Sequence, residues 1–216
     1  MYHEAVFKDR RDAGRSLAER LTKYVGNSIV LAIPRGGVPI GYEISRRLDI
    51  PLDLIMPRKL PIPSEPEAGF GAIAPDGTVV LNEDMVRYLG LSKKEIDQIS
   101  ISVLSEVRRR VREYRGDRPL PDLKNKTVIA VDDGLASGYT MIAAVRAIKK
   151  SSTKKIIVAV PCSPASSAER LRQEADEVIC LFEQQSGPFA VASYYENFPD
   201  LTDDEVKSLL KEVISR

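Results

Sequence analysis

The stretch VIAVDDGLASGYT, residues 128–140, decides the fold of this chain and indicates where a ligand would bind. Its first four residues are apolar, as in a strand that is buried on both faces. Two adjacent acids, Asp132 and Asp133, come next, followed by a run of small and hydroxyl residues. Such a run predicts a loop with converging backbone N–H groups, ahead of a helix whose positive dipole end points the same way. The stretch therefore predicts a cradle for one phosphate-sized anion.

Similar apolar runs recur along the chain and are separated by segments with helical spacing. The predicted strands are 28–34, 51–57, 127–133, 155–161 and 177–182, and the predicted helices are 8–24, 38–48, 92–115, 140–148, 167–175 and one from 202. This alternation predicts an α/β fold, a doubly wound and mostly parallel sheet flanked by helices. Ligands bind such sheets at the carboxyl ends of the strands, where the loops 34–37 and 132–140 both fall.

We expect one domain over residues 1–216, with an insertion at about 58–82 and a small C-terminal hood at about 183–216. Residues 58–71 contain three prolines and two glycines, so they are predicted to form a flexible loop. Residues 71–82 predict a hairpin around a Pro-Asp-Gly turn.

Charge and composition argue against several classes of function. Lys and Arg total 32 against 31 Asp and Glu, a net charge of +1, so the overall charge does not favour binding to nucleic acid or to an anionic membrane. No stretch approaches the roughly 20 apolar residues of a membrane span, and the first residues lack the apolar core of a secretion signal. The only histidine, His3, argues against a Ser-His-Asp triad or a histidine metal site. Cys162 and Cys180 form no disulfide scaffold, so we expect a cytoplasmic protein.

The acid pair needs an explanation of its own, because carboxylates beside an anion cradle would repel a phosphate. They fit if they meet another part of the same ligand, either sugar hydroxyls or a divalent cation. A ribose 5-phosphate meets both demands. The plain alternative is a helix-capped turn with two solvated acids. A phosphatase with Asp132 as nucleophile would usually carry a second acid at position 134, which is Gly134 here.

The order of hydrophobic strand, two acids, small-residue loop, Thr and helix resembles the signature of type I phosphoribosyltransferases. In that family this loop binds phosphoribosyl pyrophosphate (PRPP). The stretch LAIPRGGVPIG, residues 31–41, is similar to the family's pyrophosphate loop, and Arg58-Lys59 resembles the start of its mobile catalytic loop. With AVASYYENFPDLTDDEV, residues 190–206, the resemblance covers most of the chain. It is strongest to a prokaryotic branch described as predicted phosphoribosyltransferases.

The resemblance implies a role for each group. Asp132 and Asp133 hold the ribose hydroxyls and, with Lys59, are the catalytic residues. The 5-phosphate-binding residues are Ala136, Ser137, Gly138, Tyr139 and Thr140, mostly through their backbone. The pyrophosphate-binding residues are Arg35, Gly36, Gly37 and, once the 58–71 loop closes, Lys59. A cis peptide bond is expected between Pro34 and Arg35. The alternatives are a tight turn for the two glycines and a surface position for Lys59.

The implied activity is transfer of the phosphoribosyl group from PRPP to a nitrogenous base, with release of pyrophosphate. The implied cofactor is Mg²⁺, held mainly through PRPP oxygens, with Asp132 and Asp133 as the protein groups that could join it. Family members often self-associate, so a homo-oligomer is expected. Enzymes that salvage 6-oxopurines carry an acid where this chain has Ala136, which disfavours hypoxanthine and guanine as acceptors.

Two further questions stay open at this level. The same fold also serves regulators that sense PRPP or bind nucleic acid, and SEVRRRVREYRGDR, residues 105–118, holds six arginines. A solvated or subunit-contacting helix face is the competing interpretation of that run. The acceptor could stack on one of the C-terminal aromatic rings, although packing of the last helix explains them equally well. These rings belong to Phe189, Tyr194, Tyr195 and Phe198.

Overall fold

The computed structural model of this protein describes residues 5–62, 65–116, 118 and 121–214. Its strands are β1 (Ser28–Ala32), β2 (Leu52–Leu54), β3 (Arg58–Ile62), β4 (Glu65–Ile73), β5 (Val79–Leu81), β6 (Thr127–Val131), β7 (Lys155–Pro164) and β8 (Glu177–Gln184). Its α-helices are α1 (Arg10–Leu21), α2 (Gly37–Leu48), α3 (Glu83–Leu89), α4 (Lys93–Arg115), α5 (Tyr139–Lys149), α6 (Ala165–Arg172) and α7 (Asp203–Ile214). Short 3₁₀ turns lie at Thr22–Tyr24 and Val191–Tyr194.

The larger sheet has the strand order β2-β1-β6-β7-β8, and every neighbouring pair is parallel. The predicted α/β fold is confirmed. From β1 the chain adds β2 on one side and later adds β6, β7 and β8 on the other side. The point where the order reverses therefore lies between β1 and β6, and in an open α/β sheet this is where a ligand crevice forms.

Helices cover both faces of this sheet. Successive strand residues point to opposite faces, so each strand offers apolar side chains to the helices on both sides. Val30 and Ala32 of β1 pack with α1, α2 and α7, whereas Ile29 and Leu31 pack with α5. The strand cores are almost fully buried, which explains why they read as continuous apolar runs. No helix in the described ranges is long and apolar enough to cross a bilayer.

The prediction of a flexible loop at 58–71 was wrong. Residues 58–62 and 65–73 form antiparallel strands β3 and β4, which with β5 make a second, three-stranded sheet. Leu60, Ile62 and Phe70 are buried in a separate core beneath α4. Pro61 is tolerated because it lies on the edge strand, where the β3–β4 register shifts on both sides of it. Pro63, which supported the loop prediction, lies outside the described residues.

The hairpin prediction is confirmed, with its turn at Gly77 (φ 88°) between β4 and β5. The sequence carries a capping-box pattern at Ser92–Glu95 and another at Thr202–Glu205, and both boxes form in the structure. Ser92 and Glu95 bond reciprocally at the start of α4, and Thr202 and Glu205 do so at the start of α7. Helix α3, capped by Asn82, was not predicted.

Candidate functional site

The two loops singled out from the sequence meet at the point where the strand order reverses. Loop 34–37 follows β1, and the acid pair follows the adjacent strand β6. The amide of Ile33 donates to the carbonyl of Val131 at 2.9 Å, which fixes the two strand ends side by side. Two helices begin here, α2 at Gly37 and α5 at Tyr139. Their positive dipole ends therefore belong to the same site.

The glycines of loop 34–37 are required by close approach to the acid segment. A Cβ at Gly36 would lie 1.9 Å from Oδ2 of Asp133, and a Cβ at Gly37 would lie 2.7 Å from the carbonyl oxygen of Val131. Gly36 has ordinary helical angles, φ −60° and ψ −36°, so a turn conformation does not explain it. The tight-turn alternative therefore gives way to a packing reason. The predicted cis peptide bond between Pro34 and Arg35 is confirmed.

In the loop after the acid pair, the backbone carbonyls are hydrogen-bonded to a neighbouring helix, whereas the backbone amides are not, within the described ranges. The carbonyl of Ala136 accepts from Ser167 Oγ at 2.7 Å, and that of Ser137 accepts from Arg170 Nη2 at 2.9 Å. Both partners lie on α6. Among the described residues, the amides from Ala136 to Thr140 donate to no other protein atom. Gly138 has φ 80°, which L side chains rarely adopt. The loop is thus a set of unpaired donors at a helix N-terminus.

The acid pair is partly buried and electrostatically asymmetric. The Asp133 amide donates to Oδ1 of Asp132 at 2.8 Å, so the two side chains are locally coupled. Burial, reinforced by the charge of Asp133, raises the pKa of Asp132 well above its usual value. Burial also raises the pKa of Asp133, while the Arg10 guanidinium opposes that rise. Within the described part of the chain, Asp132 makes no ion pair and is influenced by the Arg10 charge only at longer range, whereas Asp133 pairs directly with Arg10 at 2.7 Å.

Arg10 is the site residue that sequence reasoning missed. It lies 123 positions from Asp133 along the chain, and no local pattern in the sequence distinguishes it from its charged neighbours. Only the fold brings the start of α1 to the end of β6.

The two cationic residues that the sequence did predict, Arg35 and Lys59, lie in two different parts of the fold. The half-exposed Arg35 makes an ion pair with Asp203 in the first turn of α7, at 3.6 Å. Lys59 lies exposed on β3, in register with Ala72. Its contact with pyrophosphate stays a prediction.

Most of the C-terminal aromatic side chains are used for packing. Tyr194 and Tyr195 are only 6% and 5% exposed and belong to the core of the larger sheet. The Tyr195 hydroxyl donates to the carbonyl of Asp133 at 2.6 Å, and its ring lies 4.9 Å from that of Phe198. Burial strongly raises the pKa of the Tyr195 hydroxyl, which keeps it a donor. Through these contacts, Tyr195 and Phe198 help to hold the segment that carries the acid pair.

Two other features of the surface lie outside this site. A cavity of about 460 Å³ is lined by Leu31, Leu54, Met56, Leu123 and the end of α4, away from the acid pair. The arginine run on α4 is partly neutralised, because Arg109 bonds Glu106 and Glu113 and Arg110 pairs with Asp203. This favours the solvated-face interpretation of the run over a nucleic-acid surface.

Among the described residues, no group of three or more His, Cys, Asp or Glu side chains is arranged to hold a metal ion. The site offers instead two adjacent carboxylates. A hard cation such as Mg²⁺ can be held by one or two carboxylates when substrate oxygens and water complete its shell. The donor set therefore fits a cation that arrives with a phosphorylated substrate.

The loop of unpaired amides and the acid pair lie where the strand order of an open parallel sheet reverses, which is where proteins of the doubly wound α/β class bind ligands. A family model described as the phosphoribosyl transferase domain matches residues 7–196. The chain therefore belongs to the phosphoribosyl transferase domain family, a group of glycosyltransferase-type enzymes.

Individual relatives agree with this assignment. A Mycobacterium tuberculosis protein with the provisional name phosphoribosyl transferase is 41% identical over 206 residues, which cover 95% of this chain. The chain spans about half (46%) of the length of that relative. The crystal structure of TT1426 from Thermus thermophilus is 36% identical, with a TM-score of 0.79 over 96% of this chain and 98% of that one. A hypoxanthine phosphoribosyltransferase from Staphylococcus aureus shares the fold, with a TM-score of 0.50 and 14% identity over 85% of this chain and 78% of that one.

Proposed function

We propose that this chain binds PRPP together with Mg²⁺ and transfers the phosphoribosyl group to a nitrogenous base, releasing pyrophosphate. The observation that carries the proposal is the pair of helix N-termini, at Gly37 and Tyr139, on either side of two adjacent carboxylates. PRPP has two anionic ends separated by a ribose with two free hydroxyls. The N-terminus of α2, the acid pair and the N-terminus of α5 follow one another in the same order as the pyrophosphate, the ribose and the 5-phosphate of PRPP.

Each group has a defined task in this proposal. The unpaired amides from Ala136 to Thr140 hold the 5-phosphate, with the hydroxyls of Ser137 and Thr140 as further donors. The loop of Arg35, Gly36 and Gly37 holds the pyrophosphate, and Lys59 adds charge from the small sheet. Asp132 accepts a hydrogen bond from a ribose hydroxyl, since its carboxylate has no cationic partner among the described residues.

The reaction needs positioning and charge stabilisation more than acid–base chemistry. Pyrophosphate leaves the anomeric carbon while a ring nitrogen of the acceptor approaches from the other side, through a state that resembles an oxocarbenium ion. The amides of Arg35 and Gly36, which donate to no other described residue, stabilise the negative charge that grows on pyrophosphate, and the nearby carboxylates stabilise positive charge on the ribose ring. A bound Mg²⁺ supplies additional charge neutralisation at the phosphate oxygens.

The acceptor is proposed to be a base other than a 6-oxopurine. Ala136 is exposed at the mouth of the loop and brings no carboxylate to meet a purine ring. A transfer to adenine-like or pyrimidine-like bases needs no acid at this position.

The proposed setting is a reducing cytoplasm, with self-association left as a further prediction. Both cysteines are free thiols, and burial raises the pKa of Cys180 to about 12, so it is held in its unreactive protonated form.

Calorimetry of the whole chain tests the proposal directly. PRPP with Mg²⁺ should bind, and a screen of bases should then identify one that releases pyrophosphate. Asp133→Asn should weaken PRPP binding by about tenfold or more, because it removes the charge-assisted hydrogen bond that Asp133 is proposed to accept from a ribose hydroxyl. Asp97→Asn, on the exposed face of α4, is the matched control and should bind normally. A folded wild-type chain that gives no heat with PRPP and Mg²⁺ would refute the proposal.

A further inference from the structure

The Arg10 guanidinium occupies an unusual position for a charged group. Arg10 is the first residue of α1, placed there by the Asp9 cap, whose carboxylate accepts from the amide of Asp12 at 2.8 Å. Its side chain is only 9% exposed. Nε donates to Oδ2 of Asp133 at 2.7 Å, and Nη1 donates to the carbonyl of Pro199 at 2.8 Å. The guanidinium carbon lies 3.7 Å from the centroid of the Phe198 ring.

Stability alone does not explain such an arrangement. Removing two charges from water costs several kcal/mol per ion, so a buried pair adds little net stability compared with a well-packed apolar pair. What the contacts do achieve is orientation, because a planar guanidinium with two bonded nitrogens and a stacked ring has one available geometry. The carboxylate of Asp133 is held in turn between Arg10 and the backbone of Gly36.

The same residues tie the C-terminal segment to the acid pair. Asp133 is bound through its side chain by Arg10 and through its carbonyl by Tyr195. Arg10 is also bonded to Pro199 and stacked on Phe198, which contacts Tyr195. The start of α1 and the segment 195–199 therefore both contact Asp133 at the end of β6, one through its carboxylate and the other through its carbonyl.

We infer that Arg10 is a positioning residue for PRPP, which acts through Asp133 by fixing its carboxylate and neutralising one of two adjacent acids. This inference rests on the proposed function. With Asp133 held and charge-balanced, the ribose meets an ordered pair in which Asp132 alone carries an unpaired charge. Without Arg10, two neighbouring carboxylates repel each other and the anionic ends of PRPP, and Asp133 loses the contact that orients its side chain.

A double-mutant cycle in PRPP affinity separates this role from a purely structural one. Arg10→Gln should weaken PRPP–Mg²⁺ binding by about tenfold or more, as expected for loss of one partner of a buried charge pair. Asp133→Asn should weaken it comparably. The double variant should bind no more weakly than Asp133→Asn alone, because Arg10 acts through that carboxylate. If the two losses of PRPP affinity multiply in the double variant, or if Arg10→Gln binds PRPP like wild type, the inference is overturned.

Two variants keep the test informative if Arg10→Gln folds poorly. Arg10→Lys keeps the charge but cannot make both hydrogen bonds, so binding should fall between wild type and Arg10→Gln. Arg15→Gln removes an ion pair with Asp12 on the same helix and should leave PRPP binding unchanged. Equal losses in Arg10→Lys and Arg15→Gln would indicate a general effect on α1 and would reject the inference.

Hydrogen exchange provides a readout that needs no ligand. In the PRPP-free chain, Arg10→Lys should raise exchange at the amides of residues 195–198 relative to wild type, and Arg15→Gln should not. Unchanged exchange there would contradict the link between Arg10 and the C-terminal segment. Failure of wild type to bind PRPP in the calorimetry would instead refute the proposed function, so the two failures are distinguishable.

Discussion

The loops that begin α2 and α5 present backbone amides at the same place, yet they depend on glycine for different reasons. At Gly36 the backbone is ordinary and the requirement is space, because Asp133 fills the position of a Cβ. At Gly138 space is available, since the nearest atom to a Cβ would be 3.7 Å away, and the requirement is the φ of 80°. One loop is fixed by contact with the acid pair, and the other by its own backbone conformation. The same substitution should therefore fail in different ways.

Gly36→Ala should have the largest effect. The new methyl group would overlap Asp133 Oδ2, so either the loop or the carboxylate has to move. We expect PRPP affinity to fall by about a hundredfold, since a displacement of about 1 Å at a site can cost that much. Titration calorimetry on the folded variant measures this, and near-normal binding would show that the close approach is unimportant.

Asp132→Asn separates function from stability at the point between the two loops. Because burial raises the Asp132 pKa, its charged form destabilises the fold, and the variant should gain about 1 kcal/mol of unfolding free energy at pH 7. The gain should shrink as the pH falls from the raised folded-state pKa toward about 3.9, the unfolded value, because wild-type Asp132 then becomes neutral as well. PRPP affinity should fall by about tenfold or more.

Thermal denaturation across this pH range, paired with calorimetry, checks both halves of the Asp132 prediction. If Asp132→Asn is less stable than wild type at pH 7, contacts other than those described above stabilise the Asp132 carboxylate. Asp97→Asn, on an exposed helix face, should change neither property.

Gly138→Ala should cost about 1–2 kcal/mol of stability from the left-handed backbone, and PRPP affinity should fall by a smaller factor than in Gly36→Ala. Gly90→Ala is the matched control, because Gly90 has φ 63° with no atom within 4 Å and lies at the end of α3. It should lose similar stability and keep PRPP binding. If both variants bind PRPP normally, the conformation of Gly138 does not matter for the cradle.

Ser167→Ala should have the smallest effect. It removes the hydroxyl that donates to the carbonyl of Ala136 and leaves that carbonyl without this partner, at a cost of about 1 kcal/mol. PRPP affinity should fall by a few-fold, because the loop amides lose part of their support. Ser166→Ala, at an exposed neighbour on α6, provides the control for both measurements. Equal affinities in the two variants would show that the Ser167 contact does not support the cradle.

The sequence predicted the parts of the molecule whose signals are local. Continuous apolar strands, the capping-box patterns and the strand–loop–helix order of residues 128–140 each depend on a few neighbouring residues, and the structure agrees with them. Strand β3 and the first part of β4 were missed because the prolines and glycines of residues 58–71 indicate a loop, although Leu60, Ile62 and Phe70 are buried there. The role of Arg10 could not be predicted from the sequence for another reason, because only the complete fold brings Asp133 next to it.

The edge where the beginning of the chain meets its C-terminal region has one more consequence. The amides of Glu196 and Asn197 donate to the carbonyls of Phe7 and Lys8, at 2.9 and 3.0 Å, and Phe7 is 3% exposed. A chain shortened past Phe7 would therefore free not only its own start but also the segment behind the acid pair. Attempts to trim or relocate the amino-terminal residues should be judged by the proposed PRPP binding as well as by yield, since damage there would be transmitted some 190 positions along the chain.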